Sequence, residues 1–378
     1  MTHVLIAGLS ARAIADSAAR AGFSVTAIDA FADLDTHPSV RAVSLPRDFG
    51  LKYSAHAAAC AASEFAGGAA VYASNFENDP DAVRTLATGR TLWGNRPSVL
   101  RRVRDPRHLA EAFRARGVYV PAVADPAVQQ PHDSLEWMVK PVSSGGGHGV
   151  RRWLGGSVPP DCYLQEYVEG TPGSVLFVAA GGRSVSLGIT RQLVGDSAFG
   201  ATGYRYCGNL LTTSTGTGED DAAIVGQTGL MASAVAQEFD LVGVNGVDFI
   251  EHDGGVCPIE VNPRWCASME LVERSYGVSV FAAHADACTT GTLPVFDISN
   301  ARRTPLVAGK AIVFAREDVA MGDTRPWLDD PDIGDVPRPG ERIAEGHPVC
   351  TVFAEGTDAS ACYNALVQRA SGIYSRIT

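Results

Sequence analysis

No long run of Lys and Arg occurs in this 378-residue sequence, and the formal net charge is −11. An electrostatic grip on nucleic acid is therefore not expected, although single basic clusters can still meet phosphates. Cys60, Cys162, Cys207, Cys257, Cys266, Cys288, Cys350 and Cys362 are scattered without CxxC spacing. That excludes the common zinc and redox signatures, argues against a disulfide framework and points to a reduced cytosol. No apolar run reaches membrane-spanning length, and the start of the chain lacks a charged segment followed by a long apolar core. A soluble cytoplasmic protein with neither nucleic acid nor membrane as a partner is the expectation. What is present is an ordinary globular composition, 46% hydrophobic and 19% charged, on a chain long enough for two or three domains.

The beginning of the chain alternates short apolar runs with an alanine-rich segment. His3 to Ala7 reads as a strand, Ala11 to Ala21 as a helix closed by Gly22, and Phe23 to Asp29 as a second strand. That spacing predicts a parallel, doubly wound α/β start. The turn Gly8-Leu9-Ser10-Ala11-Arg12 lacks the three-glycine dinucleotide fingerprint, so it is read as structural, with a substrate contact from Ser10 or Arg12. Asp29, Asp33 and Asp35 are read as a solvated loop. A strand over Ala69–Ala73 leads into the polar loop Ser74–Pro80, where open α/β sheets place ligands. Trp93 to Pro97 looks like a domain boundary, and Ser98 to Arg116 like one strongly basic helix.

Two later stretches carry the chemistry. Gly246-Val247-Asp248-Phe249-Ile250 and Pro258-Ile259-Glu260-Val261-Asn262-Pro263-Arg264 are strand-like, joined by a turn over 251–255 with Asp-Gly and Gly-Gly. Pairing them brings Asp248 and Glu260 together, with Asn262 on the same face as Glu260. Two carboxylates and an amide oxygen suit a hard divalent cation such as Mg²⁺ or Mn²⁺. Upstream, a strand over Trp137–Pro141 delivers Lys140 to the loop Ser143-Ser144-Gly145-Gly146-Gly147-His148-Gly149. Backbone N–H groups of such a loop can close over phosphates, and the lysine adds a point charge. The order of lysine and glycines is not that of the GxxxxGK[ST] loop.

The succession of Lys140-Pro141, the glycine loop, Gln165-Glu166-Tyr167-Val168-Glu169-Gly170, Asp248 and Glu260-Val261-Asn262-Pro263-Arg264 resembles the ATP-grasp superfamily. The resemblance implies a Rossmann-like domain over 1–96, two ATP-clamping lobes over 97–300 with a hinge near 165–169, and a small β-rich domain over 301–378. Gly309–Ala315, Asp335–Ile343 and Gly346–Val349 look like the final domain of biotin-carboxylase-type members. The nearest branch is that of predicted ATP-dependent carboligases, tyramine–glutamate ligase-like, some associated with tetrahydromethanopterin and methanofuran biosynthesis. It further implies ATP and Mg²⁺ (or Mn²⁺) as cofactors and a carboxylate activated as an acyl phosphate before an amine attacks. Lys140 and the loop from Ser144 to His148 would bind the phosphates, Glu166, Tyr167 and Val168 the adenine, and Glu169 the ribose. Asp248, Glu260 and Asn262 would hold the metal. Arg264, Lys140 and Arg191 would act in catalysis, with Arg104 or Arg107 standing in for a lysine the family usually carries. The implied partners are a small carboxylate and an amine, the substrate being a small anionic amino acid or cofactor precursor, and a homodimer is common among relatives. A bicarbonate-using carboxylase and a non-catalytic nucleotide-binding subunit are the alternatives.

Overall fold

The computed structural model describes residues 2–124, 132, 134–212, 218–253 and 255–377. Gly254, in the expected hairpin turn, lies outside these. The short apolar runs at the start form a five-stranded parallel sheet in the order Val40–Ser44, Ser24–Asp29, His3–Ala7, Ala69–Tyr72, Thr91–Leu92. Its central strand is buried from Val4 to Ala7, as a parallel sheet covered on both faces requires. The C-terminal ends of these strands carry Leu9, Phe31 and Asn75 to the wall of one large cavity. Val40–Ser44 escapes a reading by apolar runs because Arg41 interrupts it.

The expected basic helix is two helices, Pro97–Val103 and Pro106–Arg114. Pro106 lacks an N–H and disfavours helical backbone at Asp105, whose carboxylate accepts the N–H groups of Arg107 and His108 (2.8 and 3.2 Å). The break leaves Arg104 between the helices, facing the cavity.

A four-stranded antiparallel sheet follows, in the order Val123–Ala124, Cys162–Glu166, Trp137–Pro141, Arg151–Arg152. The remaining long strands build an eight-stranded antiparallel sheet: Gly255–Asn262, Gly243–His252, Thr171–Ala180, Arg183–Val194, Tyr206–Leu211, Val307–Phe314, Pro348–Gly356, Ile333–Gly334. The C-terminal strands thus continue the central sheet through backbone hydrogen bonds between Tyr206–Leu211 and Val307–Phe314. Helix Gly218–Phe239 buries Met231, Val235 and Phe239 against the sheet residues Val175, Phe177 and Val247. Met269, Val272 and Phe281 pack with Ile14 and Ala18 of the N-terminal helix. Ala359–Ile377 covers the last strands with Leu366, Ala370 and Ile373. No helix among the described residues is long and apolar enough to cross a membrane.

Asn95 joins the parallel sheet to the large one. It is 1% exposed; its amide donates to Asn245 Oδ1 (2.8 Å) and the Pro263 carbonyl (3.0 Å) and accepts the Val242 N–H (2.9 Å). Tyr72 also donates its hydroxyl to the Pro263 carbonyl (3.1 Å). Asn95→Ala strands these groups in a buried interface, and each buried unpaired group costs about 1–3 kcal/mol. We expect a loss of about 3 kcal/mol in urea unfolding monitored by tryptophan fluorescence.

Candidate active site

Asp248 and Glu260 are direct cross-strand partners. Next to them the register slips, so that Phe249 faces Pro258 and Ile259 becomes the extra residue of a bulge. The Ile259 carbonyl accordingly points away from the ladder and accepts from Lys140 Nζ (3.4 Å) and Gln165 Nε2 (3.3 Å). Lys140 Nζ also donates to Gln165 Oε1 (3.0 Å). Asn262 donates to Asp248 Oδ2 and accepts from Arg264 (3.0 Å each). Arg264 in turn is clamped by the buried carboxylate of Glu77 (2.8 Å), from the loop that the sequence places after the strand Ala69–Tyr72.

The glycine-rich loop lies across this hairpin. Gly146 and Gly147 adopt positive φ (61° and 77°), and a Cβ on Gly147 would run into the Tyr204 carbonyl. The Gly146 carbonyl accepts the Tyr206 N–H (3.1 Å), and Ser144 Oγ donates to the His148 carbonyl (2.6 Å). Arg104 spans the gap between loop and hairpin. It pairs with Glu260 and donates to Asn78 Oδ1 (3.0 Å) and the Ser144 carbonyl (3.0 Å). Its buried Nε has no partner among the described residues. The cavity measures about 1000 Å³ and is lined by Lys140, the 143–148 loop, Tyr167, Val168 and all three expected metal-binding residues.

The two acids of the hairpin titrate in opposite directions. Burial pushes the Asp248 carboxyl up to about 7, with repulsion from Glu260 second and Arg264 and Asn262 pulling back. Burial acts the same way on Glu260, but Arg104 and then Lys140 outweigh it and hold that group below the usual carboxylate range. Burial would lower Arg264, yet Glu77 beside it raises it, so the guanidinium stays charged. No group of three His, Cys, Asp or Glu side chains with metal-binding geometry occurs among the described residues. A cation here would therefore draw on two carboxylates and the Asn262 amide oxygen. That oxygen donor set fits Mg²⁺ or Mn²⁺, and the orphaned Arg104 N–H suits an oxyanion.

Residues 103–268 match the family profile of the ATP-grasp domain. The chain carries an ATP-grasp domain. Among solved structures, the fold is similar to L-amino acid ligase from Bacillus licheniformis, with a TM-score of 0.66 at 15% identity, covering 100% of this chain and 98% of that one. Pyruvate carboxylase from Rhizobium etli superposes with a TM-score of 0.71 at 16% identity, over 98% of this chain but only 37% of the larger enzyme. N5-carboxyaminoimidazole ribonucleotide synthetase from Thermotoga maritima gives 0.65 at 13%, covering 100% and 99%. An uncharacterised protein of Methanocaldococcus jannaschii is 26% identical over 125 residues, which is 32% of this chain and 28% of that protein.

Three expected residues do not line this cavity. Arg191 is exposed and does not line the cavity; its neighbour Gln192 points in and donates to Asp248 Oδ1 (3.0 Å). Side chains alternate across a strand, so a reading that selects the charged residue picks the wrong face by one position. Glu166, expected to meet the adenine through its backbone, does not line the cavity, and its carboxylate accepts the Ala122 N–H (2.9 Å); Glu169 is exposed and does not line it either. Of the two candidate arginines, Arg104 lines it and Arg107 does not. Gln192, Tyr206 and Asn209, from the segments 191–195 and 206–209 that the family resemblance implies for the active site, do line the cavity, and Lys310 lines it as a residue not expected there.

The raised Asp248 has a consequence for stability. An acid whose folded value lies above its unfolded one favours the folded state most at low pH, and that advantage is lost as pH rises through the folded value. We expect Asp248→Asn to stabilise the metal-free protein above pH 7. The gain should shrink as pH falls from 7 toward 4, read from melting temperatures across that range.

Proposed function

We propose that the protein is an ATP-dependent ligase that joins a small carboxylate to an amine. ATP would lie between the 143–149 loop and the large sheet, its phosphates toward Lys140 and Arg104 and its base beside Tyr167 and Val168. Asp248, Glu260 and Asn262 would hold Mg²⁺ or Mn²⁺, which supplies charge neutralisation at the phosphates when bound. The substrate carboxylate attacks the γ-phosphorus, the bond to ADP breaks, and an acyl phosphate forms. The amine nitrogen then bonds to the acyl carbon, the bond to phosphate breaks, and the nitrogen gives up a proton. Arg264, held by Glu77, faces the charge that builds on the acyl oxygen.

The observation that carries this reading is the convergence of four segments on one cavity: Arg104, the Lys140 strand with its glycine loop, the acid hairpin, and Arg264. Such an array positions and neutralises, which is what phosphoryl transfer asks of a protein. A covalent thiol route finds no support. Cys266 lies within 4 Å of Arg264, but burial pushes its thiol up to about 12.

The test is ADP and phosphate release with Mg·ATP against a matrix of carboxylates, amines and bicarbonate, with Glu260→Gln as the blank. Release that needs one carboxylate and one amine supports the ligase. Release with bicarbonate alone replaces it with a carboxylase, and silence together with absent ATP binding overturns both. On the productive pair, Gln192→Ala should lower the rate by about tenfold, the effect of losing one hydrogen bond to a charged group. Arg191→Ala should leave it within about twofold.

A further inference from the structure

One carboxylate in the cavity wall has been left without a partner. Where the parallel sheet meets the C-terminal strands, six acids crowd together: Asp16, Asp29, Asp33, Asp35, Glu270 and Asp335. Three cations sit among them, Arg12, Lys310 and Arg338. Five of the acids are accounted for. Asp29 accepts the N–H groups of Ala11, Phe31 and Ala32 (2.9, 2.9 and 2.7 Å). Asp16 takes the His37 N–H (2.8 Å) and Arg12 (3.5 Å). Asp35 receives the N–H groups of Asp335 and Val336 (3.0 and 2.8 Å), with Arg12 at 3.3 Å. Glu270 is shared by Arg12 (2.8 Å) and Lys310 (2.7 Å). Asp335 accepts from Arg12 Nε (2.7 Å) and the Thr351 hydroxyl.

Asp33 is the exception. It is 7% exposed, it lines the cavity, and its Oδ2 is buried with no hydrogen-bond partner among the described residues. Arg12 and Lys310 are both committed to other acids. Arg338 reaches this stretch and donates Nη2 to the Ala32 carbonyl (3.1 Å), while its own buried Nε has no hydrogen-bond partner among the described residues. Arg12 acts on Asp33 only at a distance; a buried carboxylate oxygen without a hydrogen-bond donor is costly, and native chains retain one where something else completes it. Burial, with Asp335, Asp29 and Asp35 adding repulsion, pushes this carboxyl well above its usual range.

The surroundings say what completes it. The local balance is six acids against three cations, Arg12, Lys310 and Arg338, so an anion is repelled and a cation drawn in. Leu9 and Phe31 line the same wall and offer apolar contact to a carbon chain. A row of polar side chains on one face of the large sheet runs from Asp248 through Ser174 and Thr190 to Asn209 and Lys310. The acid cluster and the paired acids of the hairpin are therefore two ends of one floor.

We propose that Asp33 is the recognition residue of an amine subsite, which takes an alkylammonium group through its unpartnered carboxylate. This rests on the ligase reading, of which it names the acceptor: an amine protonated at neutral pH, carried on an apolar chain, rather than an anionic molecule.

The experiment is equilibrium binding to the full chain, without turnover, of n-butylamine and 1,4-diaminobutane, with n-butanol and butyrate as neutral and anionic controls. Wild type and Asp33→Asn are compared. We expect both amines to bind the wild type in preference to the controls, and at least tenfold more weakly to the variant. The variant should melt at the same temperature as the wild type or higher, because it removes a repelled charge and no hydrogen bond. Equal amine binding to both proteins, preference for butyrate or butanol, or no amine binding at all would overturn the proposal. So would a lower melting temperature, which would mean that Asp33 is paired internally, with Arg338 the candidate. Asp33-dependent amine binding without ATP cleavage would sink the ligase alone. Turnover with an amine whose KM is unmoved by Asp33→Asn would sink this subsite alone.

Discussion

Two carboxylates placed opposite each other on adjacent strands repel, and the molecule around Asp248 and Glu260 is arranged to bear that repulsion. Arg104 pairs with Glu260, while Lys140 and Arg264 add positive charge from further positions in the chain. Each arrives by its own local device. Pro106 ends a helix so that Arg104 stands at its break. The bulge at Ile259 frees a carbonyl that, with Gln165, receives Lys140. The turn after Asn262 is fixed through its Pro263 carbonyl by Asn95 and Tyr72, which aims Arg264. Remove the opposition of the acids and none of these devices has an evident purpose.

The same economy governs the other half of the cavity. Arg12 is buried yet touches four acids, so burying it is offset by pairing rather than by solvent. Those contacts tie the first helix to Glu270 and to Asp335, residues from three distant parts of the chain. A network this saturated fixes the parallel sheet against the central one. It also makes a single unsatisfied member, Asp33, stand out.

Much of the acid hairpin was legible because its signals are local: a glycine turn, alternating apolar residues and two acids in register. The glycine loop after Lys140 was legible for the same reason. The side of the strand Arg183–Val194 that faces the cavity was not, since alternation alone gives two faces and only the pairing with Thr171–Ala180 and Tyr206–Leu211 chooses Gln192 over Arg191. Asp29, Asp33 and Asp35 looked like a solvated loop because the residues that bury them, Glu270, Asp335 and their neighbours, lie more than two hundred positions away. The joining of the C-terminal strands to the central sheet is equally long-range. Pro106, by contrast, announced the helix break in plain sequence, and a reading that weighted basic charge passed over it.

Arg104 holds its surroundings in a way that a lysine could not. An ammonium is a point charge with donors clustered at a single nitrogen, whereas a guanidinium presents five N–H groups in a planar fork. Here one arm of that fork meets the acid hairpin at Glu260. The other reaches Asn78 on the N-terminal side and the Ser144 carbonyl on the glycine loop. A lysine at this position could neutralise Glu260 but could not hold the loop and the opposite wall at once. Arg104 therefore links the three walls of the cavity, and its buried Nε is the one donor of the fork without a partner among the described residues.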